Sequence, residues 1–404
     1  MNRLGWSAAW LVAAAVAGVA ACASTEAPVG VSPDDSVAVP DPALPPDAGA
    51  DAAPADAEPC ADCEYFPEPC TADALCPNGP FDPKTAGGSL DPRARITVIR
   101  GRSPSDVWAA GALGTLAHFD GTSWRRSDLG SDETLKALWL RNSGEVAVGM
   151  LDRIYARGLD GGDAGTAPSA DGWALHKSSA APVYQEYKSL VFQSAWAAPG
   201  AESLWCATFA WHPGRTSGLW RLRHSPSSTF EIGVGVEPAL CHQSLPCSQM
   251  TSIHGASANA LWAVGTMGAA IRVTNAESDT PTVAAFDSQT WDALLGVWAA
   301  SESEAWAVGM RGTIRHYTGD PSAWDVVADV PTTENLNAVW GSSPSDVWAV
   351  GDAGVVLHYD GKAWSRKKVA GLGARRPNLT TVWAAPGHVW IGGQGVFLSL
   401  GAKS

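Results

Sequence analysis

The sequence predicts an all-β protein, a seven-bladed β-propeller of four-stranded antiparallel blades preceded by a disordered tether. Three observations predict this. A Trp-rich segment recurs seven times between residues 96 and 400. Most copies are separated by the length of one four-stranded blade. No segment after the N-terminal stretch sustains an i, i+3, i+4, i+7 apolar stripe without Gly or Pro, so helices fit poorly.

The chain opens with one basic residue, Arg3, an apolar run over residues 4–21, and Val19-Ala20-Ala21-Cys22. This is a signal peptide over residues 1–21 ending in a lipobox, with Cys22 the expected lipidation site. An uncleaved membrane anchor is the alternative, since the run is about the length of a minimal spanning helix. Residues 22–59 form the tether: from Ala23 to Glu58 there is no aromatic side chain, and Ala, Pro, Asp, Ser and Val dominate. Such a composition cannot bury enough apolar surface to order itself. Residues 23–83 carry 13 acidic residues and no Lys or Arg, whereas residues 84–404 carry 28 acids against 26 bases. Most of the net charge of −14 therefore belongs to the tether, which self-repulsion keeps extended. The folded part, near −2, has no Lys/Arg cluster larger than Arg366-Lys367-Lys368, which disfavours nucleic acid as a partner.

Residues 60–83 are a small Cys-rich segment. In an oxidising compartment Cys60, Cys63, Cys70 and Cys76 read as two disulfides. The Cys60-x₂-Cys63 spacing leaves a zinc site as the alternative. Cys206, Cys241 and Cys247 follow, so one cysteine is left over.

Residues 84–404 hold the repeat. Residues 336–364 read LNAVWGSSPSDVWAVGDAGVVLHYDGKAW, residues 296–324 read GVWAASESEAWAVGMRGTIRHYTGDPSAW, and residues 96–124 read ITVIRGRSPSDVWAAGALGTLAHFDGTSW. Fainter copies begin near Leu135, Ser194, Thr251 and Leu379. One position holds Arg100, Trp139, Trp196, His254, Trp298, Trp340 and Trp383, at spacings of 39, 57, 58, 44, 42 and 43 residues. A second holds Trp108, Val146, Trp205, Trp262, Trp306, Trp348 and Trp390, and a third Trp124, Trp173, Trp324 and Trp364. Within one copy the turns are chemically marked. Ser342 to Asp346 can cap backbone donors, Gly351-Asp352-Ala353-Gly354 is tight, and Asp360-Gly361 is a two-residue hairpin signal. Coils of a β-solenoid, the structural rival, are usually shorter than these units. Copy seven ends after its third strand, so the missing fourth strand is expected from residues just before Ile96.

The phrase VWGSSPSDVWAVGD…HYDGxxW resembles the repeats of secreted lipoproteins abundant in myxobacteria, assigned to β-propeller folds. It is more distantly similar to sialidase-type Asp-box and photosystem-assembly-factor-like propellers. The resemblance covers residues 96–400. It implies cleavage before Cys22 and acylation of that residue, and it carries no catalytic motif. Asp346 is followed by Val-Trp rather than the x-Gly of the Asp-box, so sialidase chemistry is not implied.

No GxSxG, HExxH, Walker loop or dinucleotide fingerprint is present, and no catalytic, cofactor or metal residue is assigned. His118, His316 and His358 share one repeat position, as do Asp106 and Asp346, so blade packing and turn capping explain them better than catalysis. Asp152 and residues 160–163 do not have the spacing of a calcium-binding EF-hand loop. The breaks in the repeat are more informative. Copy three expands its second turn over about residues 207–217, and the connection to copy four is expanded over about 236–249. In an antiparallel blade these two connections lie on the same face. They carry Trp211, His212, Arg215 and His242, a candidate binding face braced by Cys206 to Cys241 or Cys247, or by a local Cys241–Cys247 bridge.

These features predict a lipid-anchored cell-envelope protein whose propeller binds a protein or glycan without catalysis. The membrane is a partner through the N-terminal lipid, and no cofactor is expected. Ala23 lacks the Asp that retains enteric lipoproteins in the inner membrane, which favours the outer one. The rivals are an exported glycosidase or lyase, and a scaffold that recognises other outer-membrane proteins.

Overall fold

The computed structural model describes residues 62–81, 90–142, 144–159, 166–211, 216–225 and 229–400, with backbone alone for 182–185. The expected signal peptide over residues 1–21, Cys22, the expected tether, Cys60 and residues 160–163 lie outside the described residues. Residues Pro59–Ser404 form one compact unit.

Seven sheets make up this unit; in five of them four antiparallel strands follow one another in chain order from first to fourth, and the third and seventh depart from this pattern. The first strands are Ile96–Ser103, Ala137–Leu140, Leu190–Trp196, Met250–Ser257, Leu294–Ser301, Leu336–Ser343 and Leu379–Ala385. Each contacts the first strand of the next blade, and the last contacts the first again, so they form the closed inner ring of a seven-bladed propeller.

Packing between blades explains the Trp repeat. The second-position Trp residues 108, 205, 262 and 306 are almost fully buried between neighbouring sheets. Each such side chain contributes about 1.5–3 kcal/mol. First-position Trp residues instead need a notch in the next blade. A Cβ on Gly341 would stand 2.5 Å from Trp298 Cη2, and one on Gly101 would stand 2.6 Å from Trp383 Cζ2. A side-chain clasp repeats three residues earlier: Thr97, Thr251, Asn337 and Thr380 donate to Leu135 O, Leu294 O, Leu379 O and Ile96 O of the following blade.

The ring does not close as expected. The fourth strand of blade seven is Leu75–Pro77, inside the Cys-rich segment, paired antiparallel with Val396–Leu400. Residues just before Ile96 cannot take that place. Pro92 lacks an N–H, and Asp91 accepts the Ala94 amide while its carboxylate holds Arg93 in a turn. Pro77 is tolerated because it ends a strand at the sheet edge. Blade three also gains a fifth strand, Ser178–Ala180, running parallel to Phe230–Val234.

Five of the six described cysteines are in disulfides rather than a zinc site: Cys70 bonds Cys76, Cys241 bonds Cys247, and Cys63 is also disulfide-bonded. Cys206 remains a buried free thiol whose pKa burial pushes up strongly. Bracing from Cys206 to Cys241 or Cys247 is ruled out by the sheet itself. Cys206 packs with Trp139 and Trp220 on one side of blade three, whereas Cys241 and Cys247 pack with Trp205 and Met250 on the other.

Candidate functional site

Strand direction sorts the connections. Second-to-third turns and fourth-to-first crossovers all emerge on one face of the disc, and the remaining two turns of each blade on the other. The exposed large apolar side chains among the described residues follow this division. Leu113, Trp211, Met267 and Met310 lie in second-to-third turns, Met150 ends a second strand beside such a turn, and Leu240 and Trp291 lie in crossovers. The eighth, Val326, is on an outer strand. Seven of these eight therefore lie on one face of the disc, distributed over blades one to five.

The local backbone reinforces this. In four blades the second-to-third turn has the form G-x-x-G, and its third residue takes a left-handed conformation: Leu113, Met267, Arg311 and Ala353 have φ between 51° and 57°. Non-glycine residues there cost about 1–2 kcal/mol. Met267 is 68% exposed and recovers little of that cost by burial.

The two insertions of blades three and four meet on this face. The Gly218 N–H donates to Cys247 O at 2.8 Å, and Gln249 Nε2 donates to Ala210 O at 3.1 Å. Ser217 to Leu219 and the short helix Pro238–Gln243 flank the Cys241–Cys247 bridge. Trp211 is 69% exposed and sits edge-on to Phe209 at 5.4 Å. His242 is exposed near the end of the helix. His212 and Arg215 lie outside the described residues.

Sequence reasoning missed a basic cleft on the same face. It has a volume of about 390 Å³ and is lined by Arg95, Arg375, Arg376, Pro377, Asn378 and Gln394. Crossover residues, the last residue before the first strand of blade one, and a turn of blade seven supply it, so only closure of the ring assembles it. Arg376 lies 3.6 Å from the Phe66 ring centroid and 3.6 Å from Asp62, and Arg375 donates to Gly395 O at 3.1 Å.

The repeated His residues face the other way. His118 Nε2 meets Asp106 Oδ1 at 2.8 Å, His358 meets Asp346 at 2.7 Å, and His316 meets Glu304 at 3.3 Å. Each stacks on its blade's Trp108, Trp348 or Trp306, with ring centroids 3.7–4.4 Å apart. The hydrogen bond from His358 holds the Asp346 carboxyl below its ordinary pKa despite burial. Burial pushes His316 down against the opposing pull of Glu304. Three copies of one arrangement are blade architecture. Among the described residues no group of three or more His, Cys, Asp or Glu is placed to hold a metal ion.

No family model matches the chain, and neither does any curated protein. Solved structures match its fold. YCF48 bound to D1 peptide aligns at 15% identity over 77% of this chain and 93% of that one, with a TM-score of 0.53. The H270A virginiamycin B lyase of Staphylococcus aureus with Quinupristin aligns at 10% identity over 77% and 95%, with a TM-score of 0.56. The extracellular domain of a putative hybrid two-component system from B. thetaiotaomicron aligns at 12% identity, covering 77% of this chain and 40% of that one, with a TM-score of 0.53. At these identities the likeness establishes the propeller fold alone.

Proposed function

We propose that this chain is an exported, lipid-anchored cell-envelope propeller that binds a protein or glycan partner, without catalysis, through the face bearing Trp211, His212, Arg215 and His242. One observation carries the reading: among the described residues, seven of the eight exposed large apolar side chains lie on that face, some at a cost in backbone strain. The solved propellers fit a binding role, since one is bound to a peptide and another is an extracellular domain. The lipobox at Cys22 supports the anchor, and no helix among the described residues is long and apolar enough to cross a membrane.

The test compares partners crosslinked to the wild-type protein on intact cells with those crosslinked to a Trp211→Ala, Met267→Ala, Trp291→Ala triple variant. The triple variant is expected to lose partners that a Val326→Ser control keeps. Identical capture by both would remove this face from the proposal. Turnover of a polysaccharide, abolished by changing one acid, would replace the binding module with an exported glycosidase or lyase. Replacing Cys22 with Ala should prevent lipid labelling; persistent labelling would refute the anchor.

A further inference from the structure

The basic cleft gathers cations that the repeat does not require. Arg95 stands immediately before the first strand of blade one, and the equivalent position holds Gln249, Ala293, Asn335 and Asn378 in blades four to seven. What the fold uses at that position is the main-chain carbonyl. In all five blades it accepts a backbone N–H from the second-to-third turn of its own blade, at 2.9–3.2 Å. Blade architecture therefore calls for no charge there. Arg375 and Arg376 come from the crossover between blades six and seven.

Gln394 ties the cleft together. Its backbone bridges to Arg95, its N–H donates to Asn378 O, and its carboxamide donates to Arg93 O. Arg375 Nη2 donates to the carbonyls of Gln394 and Gly395, at 3.4 and 3.1 Å, which holds its guanidinium at the same turn. Arg376 packs over the Phe66 ring, and its Nη1 donates to Gly373 O and Arg375 O. Carboxylates do not balance these groups. Arg95 and Arg375 make no ion pair among the described residues, and Asp62, beside Arg376, is shared with Arg366 at 3.7 Å. Asp91 is held by Arg93, and Asp352 by Asn335 and Asn337. Glu68, on the Gly373 side, pairs with none of the three. Lys136 adds a further cation, its pKa held down by burial and then by the charge of Arg95.

Like charges lining one concavity focus a positive field, which draws an anion into it. The donors specify the anion. A single guanidinium fork matches a carboxylate, whereas three guanidinium groups around one cleft match an anion with three oxygens and more than one charge. A phosphate monoester has both, since its second proton is lost near pH 6. A volume of about 390 Å³ leaves room for the phosphate and a small body attached to it. We propose that this cleft is a binding site for a phosphate monoester, held by Arg95, Arg375 and Arg376. It lies on the same face as the proposed partner site but in other blades, and it does not rest on that reading. A soluble phosphosugar and a lipid phosphate headgroup present the same chemistry, and the experiment separates them.

The experiment follows glucose 6-phosphate by ³¹P NMR as wild-type protein is added at pH 7.5 and fixed ionic strength. Saturable broadening is expected, and this arm needs no variant. By isothermal titration, Arg375→Gln should weaken binding at least tenfold, and the Arg95→Gln, Arg375→Gln double variant should abolish it. Both replace exposed side chains, so melting should stay within a few degrees of wild type. Arg125→Gln removes an exposed arginine from the outer strand of blade one and should bind like wild type. Vesicles of phosphatidylcholine with and without phosphatidic acid then identify the source. Retention on phosphatidic acid that glucose 6-phosphate competes away supports the site and assigns it to a lipid headgroup; saturable glucose 6-phosphate binding without retention supports it as a site for a soluble phosphate monoester. The proposal is overturned if wild type leaves the ³¹P signal unchanged, or if the double variant binds like wild type. It is equally overturned if Arg125→Gln loses as much affinity as Arg375→Gln, which would reduce the effect to net charge.

Discussion

His254 shows how one substitution in a repeat changes the chemistry of a whole layer. It occupies a Trp position, lies 94% removed from solvent, and has its pKa lowered by burial and then by the charge of Arg100. The folded state therefore holds this side chain neutral while the unfolded chain protonates it near pH 6.5. Its contribution is fully present above that pH and is lost below it, at about 1.4 kcal/mol per pH unit. Urea unfolding from pH 7.5 to 5 should show this slope in wild type and a shallower one in His254→Asn, which keeps an acceptor for the Ala299 N–H. Asp346 is the opposite case, a carboxylate held low by His358, Ser342 and Trp348. Replacing Asp346 with Ala strands the Trp348 indole N–H and should cost about 1–3 kcal/mol in denaturant unfolding. The repeated His residues, read from the sequence as blade packing and turn capping, each pair with a carboxylate and a Trp of their own blade.

At the level of strands and turns, two glycine-related positions make opposed predictions. Gly341 is the notch for Trp298, and Gly341→Ala should destabilise by about 1–3 kcal/mol, since the indole edge, packed in the core, has nowhere to move. Met267 is a left-handed non-glycine in an exposed turn. Met267→Gly relieves the strain and loses little burial, so stability should rise by up to about 1 kcal/mol while partner capture weakens. A fall in both would mean that the side chain supports the turn rather than a partner. The turn motif itself was legible as G-x-x-G, but its left-handed third residue was not, because neither Met nor Leu announces that conformation.

Across the whole molecule, closure depends on the strand at Leu75–Pro77. Leu75 is fully buried, pairs with Leu400, and exchanges backbone bonds with Lys368 and Ala370 in blade six. Leu75→Ala should cost about 2–5 kcal/mol, and a chain beginning at residue 90 should lose cooperative melting through an unpaired blade seven. Melting as cooperative as wild type in that shorter chain would show that the ring holds without its clasp. Reduction of Cys70–Cys76, which anchors this strand, should lower the melting temperature further.

Blade number, the strand–turn rhythm, the buried Trp rows and the side on which the insertions emerge were readable from residues alone. Each is a local, repeated consequence of side-chain size and turn chemistry, and seven copies make it redundant. The closing strand, the basic cleft at Arg95, Arg375 and Arg376, and the meeting of Arg100, Trp340 and His254 were not. Those residues lie in different blades, hundreds of positions apart in some pairs, and only the closed ring brings them within contact distance. The cysteines show the same division. Their number implied bridges, yet it took the sheet of blade three, standing between Cys206 and the other two, to decide that Cys241 bonds Cys247.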